Sequence, residues 1–208
     1  MEPLILHEDP ISANCYKIRL VAALLALPIQ RRRYSILKGE TRTPEFLDNV
    51  STFGRIPVLQ IGESTFLPES NAACFYLADR CHSTLIPSDS LQRADMLRWM
   101  FFEQNQHEVN IATLRFWIRF IGKENLEPSR RAQLEGKRKA GEAVLDYMAE
   151  HLKTTRSGWF VGEDMTLADV CLYAYTHVAR EAEFDLAKWP TIQEWCARVE
   201  KVEGYVKM

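Results

Sequence analysis

Phe53-Gly54-Arg55-Ile56-Pro57-Val58-Leu59, followed shortly by Leu67-Pro68-Glu69-Ser70, is the stretch that decides the fold of this 208-residue chain. Gly54 and Arg55 read as a turn, and Val58-Leu59-Gln60-Ile61 as a short apolar strand. Proline cannot donate to a sheet ladder, so Pro57 belongs at the start or edge of that strand. Its X-Pro bond is a candidate for the cis isomer, an arrangement that would leave the Ile56 backbone groups open to an extended peptide. Thr65-Phe66-Leu67 reads as the partner strand of a hairpin turning at Gly62-Glu63-Ser64. A helix is then expected from Ser70 to about Arg80. Its start offers unpaired backbone N–H groups at a positive dipole end, which suits a carboxylate. Together the two segments predict a seat for a small acidic peptide.

Working outward, Leu4-Ile5-Leu6-His7 reads as a strand entered directly from Met1. Ser12 can cap a helix whose apolar positions Ile18, Val21, Ala22 and Leu25 recur at helical spacing, with Pro28 ending it. A second strand is expected within 29–37, where Tyr34 and Ile36 alternate with polar neighbours. Thr43-Pro44-Glu45 starts a short helix, with threonine as cap and proline in the first turn. The order is βαβ, α, ββα over residues 1–82. Residues 83–89 read as a linker, and 90–208 as wholly helical. Asp89 or Ser90 can cap one long helix reaching toward Gly122, and Pro128 starts another with Ala140, Val144, Met148 and Leu152 as its stripe. Thr166-Leu167-Ala168-Asp169 is a capping box with aspartate in place of glutamate. Trp189-Pro190-Thr191 starts the last helix.

The charge balance, 26 basic against 28 acidic residues for a net −2, gives no reason to expect nucleic acid as partner. Arg31-Arg32-Arg33 reads as a solvated strand edge or helix exit. Cys15, Cys74, Cys81, Cys171 and Cys196 lack metal-ligand spacing, and four of them fall on apolar helix faces. With their odd number and no signal peptide, they point to a reducing, cytoplasmic setting. No apolar run approaches the length of about 20 residues that a spanning helix needs, so no membrane association is expected.

A small α/β unit with proline before its third strand, followed by helices, resembles the cytosolic glutathione transferase superfamily, with a flavour of its bacterial theta-like or nu-like members. The resemblance rests on the order and spacing of Ser12-Ala13-Asn14-Cys15-Tyr16-Lys17, Gly54 to Leu59, Glu69-Ser70 and Thr166 to Asp169, and covers essentially the whole chain. It implies an α/β thioredoxin-like N-terminal domain and an all-α C-terminal helical bundle. It also implies glutathione as co-substrate, no metal or nucleotide, a detoxification role and a homodimer. By the same resemblance Ile56, before Pro57, pairs with the cysteinyl part of glutathione. Glu69 meets the γ-glutamyl ammonium and Ser70 its carboxylate. Arg55 gives a polar contact, while Lys38 and Arg42 are candidates for the glycyl carboxylate or plain surface charges.

Chemistry would rest on the ligand's own thiol, whose free pKa of about 8.5 leaves little thiolate at neutral pH. A hydroxyl at the positive end of a helix would stabilise the ionised sulfur. Ser12 fits the serine of the theta-like pattern, although an N-cap role alone explains its residue type. Asn14 is the alternative contact. Ser12-x-x-Cys15 overlays the Cys-x-x-Cys of thioredoxin-like oxidoreductases with the attacking position changed, which leaves Cys15 either buried and inert or part of a mixed disulfide. A small hydrophobic electrophile is expected against Ile11, Phe102, Asn105, Arg115 and Phe116, with Trp117 a further contributor. His107 reads as a histidine at the surface or behind the site. Thr166 and Asp169 are assigned to stability. Two further readings are a non-catalytic interaction module that keeps the fold, and an isomerase of a small unsaturated acid. The isomerase pattern, Ser-Ser-Cys at the first helix, differs from Ser12-Ala13-Asn14.

Overall fold

The computed structural model describes residues 2–208, so Met1 lies outside the described residues. Contacts divide the chain into two units, 1–86 with 202–208, and 87–201. The closing seven residues, expected in the helical domain, thus belong to the first unit. There the Tyr16 hydroxyl, on a fully buried side chain, donates to the Val206 carbonyl at 2.7 Å.

The first unit is thioredoxin-like. Its elements are β1 (Leu4–Glu8), α1 (Ala13–Leu24), β2 (Gln30–Arg33), α2 (Pro44–Asn49), β3 (Val58–Ile61), β4 (Thr65–Pro68) and α3 (Ser70–Arg80). The sheet order is β2-β1-β3-β4, with β2 parallel to β1 and the other pairs antiparallel. Leu4, Leu6, Val58, Leu59 and Ile61 are buried, and so is the inward face of α1 and α3, including Cys15, Ile18, Val21, Ala73, Cys74 and Leu77.

Two boundaries differ from expectation. Helix α1 ends at Leu24, well before Pro28, because Ala26 adopts φ +50° and the chain wraps back. The N–H of Leu27 bonds the carbonyl of Ala22, and that of Ala26 bonds Ala23. This is the Schellman arrangement, which satisfies the last carbonyls without proline. Strand β2 stops at Arg33, short of Ile36, whose N–H is taken by Asp9 Oδ2 at 2.9 Å.

In the second unit, α4 (Ser90–Phe102) is capped by Asp89, whose carboxylate accepts from the Gln92 N–H at 2.8 Å. The helical path continues to Gly122, but not as one α-helix. Glu103–Ala112 and Phe116–Ile121 are π-helical, with the short α5 (Thr113–Arg115) between them. The stripe expected to start at Pro128 is interrupted too: α6 covers Pro128–Arg131, and α7 runs Leu134–Thr154. Helices α8 (Leu167–Thr176) and α9 (Pro190–Val199) complete the unit, and every residue of α8 is buried. Among the described residues, no helix is long and apolar enough to cross a membrane.

Candidate active site

Three segments of the first unit meet at one edge of its sheet. His7 lies opposite Val58 and Val58 opposite Pro68, so the end of β1, the Pro57 turn and the start of α3 are neighbours by strand register. The Ile56–Pro57 bond is cis. Gly54 has φ +60°, and a Cβ there would stand 2.7 Å from the Thr41 carbonyl oxygen, so the turn requires glycine. The Arg42 guanidinium donates to the Phe53 carbonyl at 2.8 Å, which brings Arg42 to the same turn as the exposed Arg55. Lys38 is also exposed, on the loop after β2.

Helix α1 starts at this edge. The Ser12 Oγ accepts from the Cys15 N–H at 3.3 Å, an N-cap bond. Asp9, which the sequence reading passed over, sets the approach. Its Oδ1 accepts from the Ile11 N–H at 3.1 Å and its carbonyl from the Ser12 N–H at 3.0 Å. One buried carboxylate therefore holds both the loop before α1 and the loop after β2 at Ile36. Its neighbour Glu8, fully buried, is ion-paired with Arg19 at 3.2 Å and with Arg31, tying α1 and β2 to the end of β1. Arg31, exposed like Arg32 and Arg33 on β2, thus reaches in to pair with the buried Glu8 carboxylate.

Helix α3 starts differently. Glu69 precedes it at φ +70° and makes no side-chain capping bond. A non-glycine residue at such a φ stores strain of order 1–3 kcal/mol, a feature that concentrates at ligand clamps. The first-turn N–H groups of α3 have no carbonyl partner within the helix. Ser70, in that turn, is buried, and its Oγ donates to Asn14 Oδ1 at 3.3 Å. The two helix starts are thereby joined, and Ser12, Asn14, Glu69 and Ser70 fall into one cluster.

Cys15, one turn into α1, is fully buried, and burial pushes its thiol up to about 12 despite the hydrogen bond from Ser12. It stays protonated at neutral pH and is a poor nucleophile. Cys74, Cys171 and Cys196 are buried as well, Cys81 is exposed, and all five are free.

Of the residues expected to line an electrophile site, one lies in the first unit and four in the second. Ile11 is half-buried in the first unit, two residues from Asp9. In the second unit, Phe102 packs its ring on Trp99 and Tyr147, and the exposed Asn105 donates to the Phe101 carbonyl. Arg115 and Phe116 lie further along, past the π-helical stretch Glu103–Ala112. Arg115 is buried and donates from Nε to Glu181 Oε2 at 2.8 Å, and Phe116 packs against Phe120. Trp117 is buried beneath the Lys137 ammonium. His107 is not at the surface: it is fully buried and bonds through Nε2 to the Thr176 hydroxyl of α8 at 2.8 Å.

Asp169, at the start of α8, is fully buried and accepts four hydrogen bonds. They come from the N–H of Phe160 and Thr166, the Thr166 hydroxyl, and the Trp195 indole, at 2.9–3.1 Å. With all its acceptor sites turned into the core, it has structural work only.

The same division appears in comparison with known proteins. The model of the glutathione S-transferase N-terminal domain matches residues 11–80, and that of the C-terminal domain matches 105–203. The chain belongs to the glutathione S-transferase family. A glutathione S-transferase from Pseudomonas fluorescens Pf-5 is 41% identical with a TM-score of 0.89, over 98% of each chain. A possible glutathione S-transferase from Rhodopseudomonas palustris is 38% identical, with a TM-score of 0.89 over 98% of this chain and 89% of that one. The disulfide-bond oxidoreductase YfcG of Escherichia coli is 25% identical over 89% of this chain and 85% of its own length. Within the family's N-terminal domain the matched stretch contains all four clustered residues, Ser12, Asn14, Glu69 and Ser70.

Proposed function

We propose that this protein is a glutathione transferase that conjugates or reduces electrophilic substrates with the glutathione thiolate. The observation that carries this reading is the Ser70 Oγ to Asn14 Oδ1 hydrogen bond at 3.3 Å, which unites two helix N-termini. One of them, α3, has no side-chain cap and presents Glu69 and Ser70. Its N–H groups suit the γ-glutamyl carboxylate, the Ser70 hydroxyl can turn to it from Asn14, and the Glu69 carboxylate suits the adjacent ammonium. Ile56 supplies backbone groups for the cysteinyl part, with Arg55, Arg42 and Lys38 along the glycyl end. The sulfur then comes to the start of α1, where the Ser12 hydroxyl and the helix dipole favour its ionised form, Asn14 being the alternative contact. Attack on an electrophilic carbon follows from that thiolate.

The kinship with YfcG favours disulfide reduction as a second activity. Cys15 is too buried and too weakly acidic to attack. The bound glutathione thiolate would itself attack one sulfur of the substrate disulfide, expelling the other as thiolate. A second glutathione thiolate would then attack the glutathione sulfur of the mixed disulfide, expelling the remaining substrate thiolate and leaving oxidised glutathione. An organic peroxide would be reduced by the same nucleophile to alcohol and water as two glutathiones are oxidised to the disulfide.

The remaining parts of the reading are a homodimer, a small hydrophobic electrophile, detoxification and a cytoplasmic setting. Exposed Phe53, Leu91 and Phe101 support self-association, and five free cysteines support a reducing compartment. The test is conjugation of glutathione to an aryl halide, followed by wild type and Ser12→Ala. At least a ten-fold loss of turnover in the variant, with glutathione affinity held within about two-fold, is expected. Equal turnover would move the thiolate contact off Ser12.

A further inference from the structure

Lys17 is a fully buried lysine on α1, outside the cluster of Ser12, Asn14, Glu69 and Ser70. It lies three residues after Asn14, on the same face of α1. Its ammonium donates to Asn71 Oδ1 at 3.1 Å, and Asn71 directly follows Ser70 in the first turn of α3. The helices α1 and α3, otherwise packed through Cys15, Ile18, Ala73, Cys74 and Leu77, thus carry two adjacent polar rungs: Asn14 to Ser70, and Lys17 to Asn71. Desolvating an ammonium is costly, and an apolar pair of similar volume would usually hold two helices together as well or better. The rung therefore does something that packing alone would not.

We propose that Lys17 is a positioning residue for the carboxylate end of glutathione, acting through Asn71. An ammonium can only donate, so it selects one orientation of the Asn71 amide. The oxygen faces α1, and the NH2 faces away from the lysine. That holds the first turn of α3 at a fixed distance from α1, beside the N–H groups and the Ser70 hydroxyl that meet the ligand carboxylate. Without the lysine, the amide loses the donor that selects this orientation, and the first turn of α3 loses one of its ties to α1. The proposal rests on the glutathione reading given above.

The test measures glutathione affinity by calorimetry, KM for glutathione and kcat at saturating glutathione, for wild type, Lys17→Met, Asn71→Leu and the double variant. Binding of glutathione by the wild type is established first; its absence would sink the glutathione reading itself, independently of Lys17. Given wild-type binding, Lys17→Met is expected to raise Kd and KM about ten-fold with kcat within about two-fold, since the sulfur end is untouched. Asn71→Leu should do the same, and the double variant should be no worse than either single one, because both remove one rung. Lys17→Arg, which keeps the charge and a donor, should recover part of the affinity. A drop in melting temperature with unchanged KM would show that Lys17 is merely structural, and effects that add fully in the double variant would show that it does not act through Asn71. If Lys17→Met fails to fold, Asn71→Leu alone decides: wild-type affinity in that variant overturns the proposal.

Discussion

Two helix N-termini in this protein solve the same problem in opposite ways. At the start of α8, Thr166 and Asp169 form a reciprocal capping box, and Asp169 also accepts from Phe160 and Trp195. The donors there find partners inside the protein, and the whole turn is buried. At the start of α3, Glu69 makes no capping bond, sits at φ +70° and is exposed. One terminus is closed by the chain's own acceptors, and the other is left strained and without a side-chain cap, which is where the proposed function seats its ligand. The contrast shows how identical local physics yields a closed or an uncapped helix start, depending on whether the chain supplies its own acceptor.

The comparison can be broken most severely at the closed end. Asp169→Ala leaves four donors, two of them on Thr166, without their buried acceptor. A loss of about 4 kcal/mol or more of unfolding free energy is expected by chemical denaturation. A loss under about 1 kcal/mol would mean that the box is decorative. Ser12→Ala is intermediate, since it tests a residue with both roles. Besides the turnover loss already stated, it should cost about 1 kcal/mol of stability through the lost cap. Unchanged stability with lost turnover would assign the hydroxyl to the sulfur alone.

At the open end, the expected stability effect has the reverse sign. Glu69→Gly relieves a φ that disfavours side chains, so it should be more stable than Glu69→Ala by about 1 kcal/mol. Both should bind glutathione about ten-fold more weakly than wild type, a difference of about 1.4 kcal/mol. Equal stability of the two variants would show that Glu69 is unstrained.

A smaller effect concerns pH. His7 is fully buried, with Nε2 donating to Gln60 Oε1 and Nδ1 accepting from the Tyr34 hydroxyl, both at 3.0 Å. Burial holds its pKa below the ordinary value of 6.5, outweighing the opposing hydrogen bond to Gln60, and Arg32 adds repulsion. The unfolded chain therefore binds a proton that the folded one resists. Stability should fall as pH drops below about 6.5, and level off once the folded-state pKa is passed. His7→Gln should flatten that part of the melting-temperature profile; an unchanged profile would show that His7 does not carry it.

Much of this was legible in the residues. Ser70–Arg80, the hairpin of β3 and β4, the Thr43 cap and the Thr166–Asp169 box are all set by signals within a few positions of one another. The resemblance put Ser12, Asn14, Glu69 and Ser70 at one expected site, and the Ser70–Asn14 hydrogen bond joins the two segments that carry them. What escaped was set by distant partners. Strand β2 ends early because Asp9, 27 residues away, takes the Ile36 N–H. His107 looked like a surface residue because its partner, Thr176, lies 69 positions on. Lys17 has the composition of a solvated helix face, and only the approach of Asn71 makes it a buried rung. Its one local signal was a position three residues from Asn14, on the same side as buried Ile18 and Val21. The π-helical stretches after Phe102 left no trace in the hydrophobic spacing that had suggested a single α-helix.

The most direct trial of the open-terminus account is calorimetric titration of glutathione into wild type and Ser70→Ala, with melting temperatures measured on the same samples. The account predicts saturable binding to wild type, and binding weakened about ten-fold in the variant with its fold intact. Equal affinity in the two proteins, or no heat from either, would contradict it.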